Sequence, residues 1–327
     1  MTIELNNNVY ADGGNDTETT PVVLVHGFPV DHRMWDECAA ALRDQAVKQG
    51  VKPFAIWAPD MPGAGEGPIP SDEDSGGKDA DGAFPYGLDR MADAYVGLLH
   101  AAGYGKAIWV GLSMGGYLIL DIQRLHPEAV AALALCDTKA GADSADMRLK
   151  RVAIATDCET TGTHEPVMGF AVPSEADSTV KQSDAYCRQF ETWINEQPAD
   201  GIAWRERMAA GRPDLNDVLP NINVPVAVIC GDKDPSSPPA VMKPVADAMT
   251  KTDVTMTVID DCGHFSAYEH PDQVAAALLE TGEASRLSRL RRLSVADHPA
   301  YRQDIEKIYK TYIRNMYCVC ITNIFRI

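Results

Sequence analysis

At 327 residues the chain has room for one large domain or two ordinary ones. Hydrophobic residues at 45% and charged residues at 23% suit a globular protein with a sizeable core. A net charge of −18 argues against sequence-independent nucleic-acid binding, which needs clustered Lys and Arg to neutralise phosphates.

The opening residues 1–8 carry no basic segment followed by an apolar one, so no secretory signal is expected. No run of 18 apolar residues exists, so no transmembrane segment is expected either. Residues 6–9 read as part of a small antiparallel hairpin. Val22–Val25 is an apolar strand that runs into His26-Gly27-Phe28. Residues 31–49 place Trp35, Cys38 and Leu42 on one side of a helix. A strand follows at 54–57, then a Gly- and Asp-rich solvated loop at 71–85. Leu88, Met91, Tyr95, Leu98 and Leu99 set a helix over 86–102, and Gly103 stops it.

Further strands are expected at 107–110, 131–135, 226–230 and Val254–Ile259. All the strand candidates are near-continuous apolar runs, as in a parallel sheet covered on both faces. Residues 139–221 offer no strand but helix-like stretches around 144–157, 178–197 and 199–211. A last helix opens at Pro271. Alternating strands and helices predict an α/β fold, with 139–221 as a helical cap over the site. The predicted organisation is 1–138 and 222–284 as the two parts of one core, the cap between them, and a C-terminal extension over 285–327. That extension has nine basic residues against three acids, leaving 20 basic against 44 acidic in the first 285. Ile305, Ile308, Tyr309, Tyr312, Ile313 and Met316 would line an amphipathic helix over 299–317. Such a helix would suit an acidic partner, an anionic membrane or the acidic surface of the first 285 residues, but since none of the candidate chemical residues lies there, the favoured reading is an appendage without a role.

Eight cysteines are scattered, several inside strand-like runs, with no C-x-x-C pair, so a reducing cytoplasm is the simplest compartment. Cys318 and Cys320 are close enough to hold a soft metal. No metal or organic cofactor is assigned.

The most informative segment is Gly111-Leu112-Ser113-Met114-Gly115, a G-x-S-x-G between a strand and a helix. Such a turn holds a nucleophilic serine in a strained conformation, and the helix N-terminus turns its positive end toward a developing oxyanion. The oxyanion needs two backbone N–H donors, assigned to Met114 and to Phe28 in the loop after the first core strand. His26 is read as holding that loop. The acid is Asp232 or Asp234, at the end of the 226–230 strand. The base is His264, just after the last strand, in the order Ser, Asp, His. His32, His100, His126, His164, His270 and His298 lack such a context.

These residues resemble the α/β-hydrolase superfamily over about residues 20–282. The matching elements are His26-Gly-Phe-Pro, Asp60-Met-Pro-Gly-Ala-Gly65, Gly-Leu-Ser113-Met-Gly-Gly116, Gly-Asp-Lys-Asp234 and Cys-Gly-His264-Phe. His26-Gly-Phe-Pro-Val-Asp-His-Arg-Met-Trp35 and the 137–144 segment are similar to small carboxylesterases and 3-oxoadipate enol-lactonase-like hydrolases. The resemblance implies a mostly parallel eight-stranded sheet with helices on both faces, and favours Asp234 over Asp232. It implies cleavage of a small ester or lactone through an acyl-enzyme, with no cofactor. A homo-oligomer is compatible with it.

For the pocket, Phe170, Tyr186, Trp193 and Trp204 are candidates for an apolar acyl or aryl wall. Arg148, Arg151, Arg188 and Arg205 are candidates for a substrate carboxylate, although helical arginines are more often solvated or paired.

Overall fold

The computed structural model describes residues 3–15 and 19–280. The expectations for 285–327, the amphipathic helix and the Cys318–Cys320 metal pair included, lie outside the described residues.

Seven strands form one sheet: β1 (Asn7–Asp12), β2 (Val22–Val25), β3 (Ala55–Pro59), β4 (Ala107–Leu112), β5 (Val130–Cys136), β6 (Val226–Gly231) and β7 (Val254–Ile259). Their order across the sheet is β1-β3-β2-β4-β5-β6-β7. β1 runs antiparallel to β3, and every other pairing is parallel. The expected eight strands are thus corrected to seven among the described residues. The N-terminal hairpin does not form, because Gly13 and Gly14, both near φ +70°, turn the chain out of extension after Asp12. β1 finds its partner in β3, 43 positions on in the pairing of Asp12 with Ala55.

β2, β3 and β6 are buried at every position, so layers cover both faces of the sheet. This is why their sequences are continuous apolar runs rather than alternating ones. The helices are α1 (Asp36–Lys48), α2 (Gly87–Ala101), α3 (Met114–Leu125), α4 (Ala145–Thr161), α5 (Asp184–Glu196), α6 (Ala199–Gly211), α7 (Pro239–Ala248) and the single turn α8 (Ser266–Glu269). Residues 271–280 are helical as well. α2 buries Leu88, Met91, Tyr95 and Leu99 on the face that the sequence period picks out.

The segment between β5 and β6 carries α4, α5 and α6 and no strand. Ser144 caps α4 by accepting from the Met147 N–H, and left-handed Gly162 ends it. Ser183 caps α5 in the same way, so that helix starts at Asp184 rather than near 178.

The 71–85 segment is a loop exposed at residues 71–73 and 78–80, but it is not solvated throughout. Its Asp79 and Asp81 pair with Arg148 on α4. Ser75 is buried and accepts from the Trp204 indole at 2.8 Å, and Phe84 packs against the same tryptophan. The loop therefore docks on the helical insertion through acids that composition alone marks as solvated. None of its residues lines the cavity at Ser113.

Candidate active site

Close packing shapes the turn that carries Ser113. Ser113 has φ 55° and ψ −112°, outside the regions open to most residues without strain. A Cβ at Gly111 would meet the Gly115 carbonyl oxygen at 2.3 Å, and one at Gly115 would meet that of Val25 at 2.2 Å. Both glycines are needed because β4, β2 and the start of α3 touch through their backbones. The Ser113 N–H donates to the Cys136 carbonyl at 2.9 Å, and Thr138 Oγ1 donates to the Ser113 carbonyl at 2.7 Å. These bonds hold the serine from both sides of its own peptide.

Three side chains from three separate strand ends meet there. Ser113 Oγ lies 2.8 Å from His264 Nε2, and His264 Nδ1 lies 2.9 Å from Asp234 Oδ2. Asp234 also accepts from the Ser236 N–H at 2.7 Å and the Ser237 hydroxyl at 2.5 Å. Burial disfavours its charge, but His264 and these donors outweigh that and hold its carboxyl below the ordinary range. With Asp234 ionised, the proton of neutral His264 sits on Nδ1, and Nε2 is free to accept from Ser113. Burial likewise opposes an imidazolium at His264, yet Asp234, Asp137 and Glu269 outweigh it and raise its pKa above 6.5. Asp232 takes a different place. It is exposed and accepts from the Cys262 N–H at 3.2 Å.

Two backbone N–H groups near the serine, those of Met114 and Phe28, have no partner among the described residues. Met114 is the first residue of α3, where helix geometry leaves the N–H unpaired. Neither it nor the Phe28 N–H finds an acceptor among the described residues. Both residues line the cavity at Ser113. His26 sets the aim of the second donor. The Met61 N–H donates to His26 Nε2 at 2.8 Å, which fixes the ring proton on Nδ1, 2.9 Å from the Gly27 carbonyl oxygen. A planar trans peptide points its C=O and N–H in opposite directions. Holding the Gly27 carbonyl therefore directs the Phe28 N–H away from His26. Complete burial lowers the His26 pKa to about 4, so the ring stays neutral.

Two further carboxylates escape a reading of spacing alone. Glu269 Oε2 accepts from the Gly263 N–H at 2.8 Å and Oε1 from the Phe265 N–H at 3.2 Å, so it grips the chain on both sides of His264. The hydroxyl of Ser178, in the insertion, donates to the same carboxylate. Asp137, at the end of β5, accepts from Gly231 and Ser266 N–H groups, each at 3.1 Å. Complete burial, and then repulsion by Asp234, raises its pKa to about 8. Both residues bond to backbone, which leaves no motif in the sequence.

A cavity of about 350 Å³ opens over Ser113 and His264. Phe170 and Tyr186 line it, as do Met147, Arg151 and Lys181 from the insertion. Trp193 and Trp204 are corrected: neither lines it. Trp193 packs on Phe190 and Tyr268, and Trp204 is spent on Ser75 and Phe84. Both rings are buried against neighbouring elements, where their large apolar area is better used. Among the four arginines, only Arg151 reaches the cavity. Arg148 holds the 71–85 loop, Arg188 is exposed beside Asp184, and Arg205 is buried against the Phe28 loop. Lys139 also lines the cavity, with its nearest acid, Asp143, at 3.8 Å.

Asp31, His32 and Asp60 cluster closely enough to suggest a cation. Their oxygens are already taken by Arg33, Gln197, Asn6, Asn8 and the His32 ring and backbone. The cluster is a bonded network rather than a vacant ligand set. Among the described residues no helix is long and apolar enough to cross a membrane.

Comparison with known proteins agrees with this architecture. The lipase LipV of Mycobacterium tuberculosis is 24% identical over 79% of this chain and 91% of its own length. A thermophilic esterase from Thermogutta terrifontis is 29% identical, with a TM-score of 0.70 over 86% of this chain and 94% of that one. The enol-lactonase from Burkholderia xenovorans LB400, at 22% identity and a TM-score of 0.68 over 85% and 96%, shares the fold. Residues 22–277 match the alpha/beta hydrolase family, and the chain belongs to it.

Proposed function

We propose that this hydrolase cleaves carboxylic esters of small acyl or aryl substrates through an acyl-enzyme on Ser113. The observation that carries the reading is the unbroken series Ser113 Oγ, His264, Asp234, closed by hydrogen bonds of 2.8 and 2.9 Å beside two unpartnered N–H groups. His264 Nε2 takes the serine proton as Oγ attacks the ester carbonyl. Asp234 keeps the imidazole in the needed tautomer and stabilises its cation. The Phe28 and Met114 N–H groups hold the oxyanion, a donor pair in which each member is worth on the order of 10²–10³ in turnover. The oxyanion collapses, the alcohol leaves with the proton from His264, and His264 then deprotonates the water that frees the acid. The relation to LipV and to the Thermogutta terrifontis esterase supports an ester as the substrate. Residues 139–221 act in this reading as the cap, and the buried free cysteines are consistent with a reducing cytoplasm.

A second reading has one observation in its favour. Lys139 and Arg151 put cationic groups on the cavity wall, which suits an acyl part bearing a carboxylate, as in an acidic lactone.

The test is a panel of short-chain nitrophenyl esters, acidic half-esters and lactones run on wild type and Ser113→Ala, with fluorophosphonate labelling. Wild type is expected to turn over esters and to label at Ser113. Ser113→Ala should lose on the order of 10⁵–10⁶ in kcat. A folded wild-type protein that neither labels nor turns over any member would sink the reading and leave a ligand-binding homologue. Preference for the acidic members would select the second reading.

A further inference from the structure

Behind the Phe28 loop stands a buried cation with no carboxylate in contact among the described residues. Arg205, on α6, is fully buried. Among the described residues, all of its hydrogen bonds end on neutral oxygens. Nη1 donates to the Pro29 carbonyl at 3.2 Å and the Val30 carbonyl at 2.9 Å. Nε donates to Gly201 at 3.2 Å, and Nη2 to Gln197 Oε1 at 3.4 Å. The guanidinium also lies 5.4 Å from the centre of the Phe28 ring. The link to a carboxylate is indirect, through Gln197, whose Nε2 donates to Asp31 at 2.7 Å.

Burying a guanidinium without an ion-pair partner is costly. Burial lowers the pKa only to about 10, against the pull of Asp31, Asp60 and Glu206, so the charge persists near neutrality. The arginine does not line the cavity, so it is not a substrate contact. It bonds instead to the loop that carries Phe28, through the Pro29 and Val30 carbonyls and the Phe28 ring.

We propose that Arg205 is a positioning residue through which the helical insertion sets the oxyanion donor of the core. Arg205 clamps the carbonyls of Pro29 and Val30 while His26 holds that of Gly27. The Phe28 N–H is thereby fixed from both sides of its own residue. The positive charge behind the loop favours the oxyanion over the neutral carbonyl, and a fixed charge in a dry site acts without reorganising. The inference rests on the esterase reading and goes beyond it, because it makes the insertion part of the catalytic apparatus.

The experiment compares wild type, Arg205→Met and Arg205→Lys. For each it measures thermal unfolding, kcat and KM on a short-chain nitrophenyl ester, and the affinity of a trifluoromethyl ketone. That ketone adds to a serine hydroxyl and places an oxyanion in the hole. In folded Arg205→Met, kcat is expected to fall about 10- to 100-fold with KM within about twofold. Ketone affinity should fall by the same factor. Arg205→Lys keeps the charge without the fork and should recover part of both. If Arg205→Met does not fold, Arg205→Lys carries the comparison, with parallel losses of at least about threefold expected in kcat and ketone affinity. Unchanged kcat and ketone affinity in a folded variant would overturn the proposal. So would a rise in KM at constant kcat, which marks a pocket effect. An active wild type with an indifferent variant defeats this inference alone; a wild type inert toward every ester defeats the esterase reading as well.

Discussion

His264 is held by more than its two side-chain hydrogen bonds. Glu269 binds the N–H groups on either side of it, and its charge joins that of Asp234 in favouring the imidazolium. In the proposed mechanism neutral His264 is the active form, so activity should fall as pH drops through its pKa, which lies above 6.5. Removing a nearby negative charge lowers that pKa. Glu269→Gln should therefore move the acid limb of the kcat/KM profile to lower pH. It should also lower kcat, on the order of tenfold, since one amide oxygen must replace two carboxylate oxygens serving two N–H groups and the Ser178 hydroxyl. A pH profile of the variant checks both effects, and an acid limb that stays in place would show that Glu269 does not act on the base. That Ser113, Asp234 and His264 come together was legible because a strand-turn-helix motif and an order along the chain mark them. Glu269, Asp137 and Arg205 were not. Each works by bonding backbone groups, and any residue type can offer a backbone N–H or C=O.

The elements were legible where burial on both faces writes a continuous apolar run, as in β2, β3 and β6. They were less so where polar contacts decide, as in the loop at 71–85, where Asp79 and Asp81 pair with Arg148 of α4. α4 and α6 are tied by charge as well as by packing. Asp143, 2% exposed at its side chain, pairs with Arg151 of α4 and with Arg212 just after α6. Arg151 in turn reaches Glu206 at 2.8 Å, and the Arg212 guanidinium lies 4.1 Å from the centre of the Tyr117 ring, at the cavity. Burial opposes the Asp143 charge, but Arg212 and Arg151 outweigh it and hold the carboxyl down to about 2. A depressed carboxylate stabilises the fold above its unfolded pKa near 4, and that stability is lost as pH falls through the folded value. Asp143→Asn leaves the buried Arg212 without an ion-pair partner among the described residues and Arg151 with Glu206 alone, and should cost about 3–5 kcal/mol near neutrality. Urea unfolding at pH 7 and at pH 3 checks this. The gap between wild type and variant should narrow at the lower pH, and a gap independent of pH would mean that lost shape, not lost charge, is responsible.

Charge is also a property of the whole chain, and it is divided unevenly. The first 285 residues hold 44 acids against 20 basic residues, and residues 286–327 hold nine basic residues against three acids. The family match ends at 277, and Ser113, Asp234, His264 and every described residue lining the cavity precede that point. A chain cut after residue 285 should therefore keep its kcat/KM and its oligomeric state. It would carry a net charge of −24 in place of −18, which strengthens self-repulsion in the compact state. Surface repulsion is screened by salt, with a Debye length of about 10 Å at 0.1 M. The cut protein should accordingly gain more in Tm than the full chain between about 0.01 and 0.5 M salt, while ester turnover at saturating substrate stays equal. Thermal unfolding across that salt range, with light scattering and ester kinetics on both forms, measures all three. A loss of turnover or a change in assembly in the cut form would give residues 286–327 a role in the enzyme, and equal salt responses would mean that their charges act too far from the core to matter.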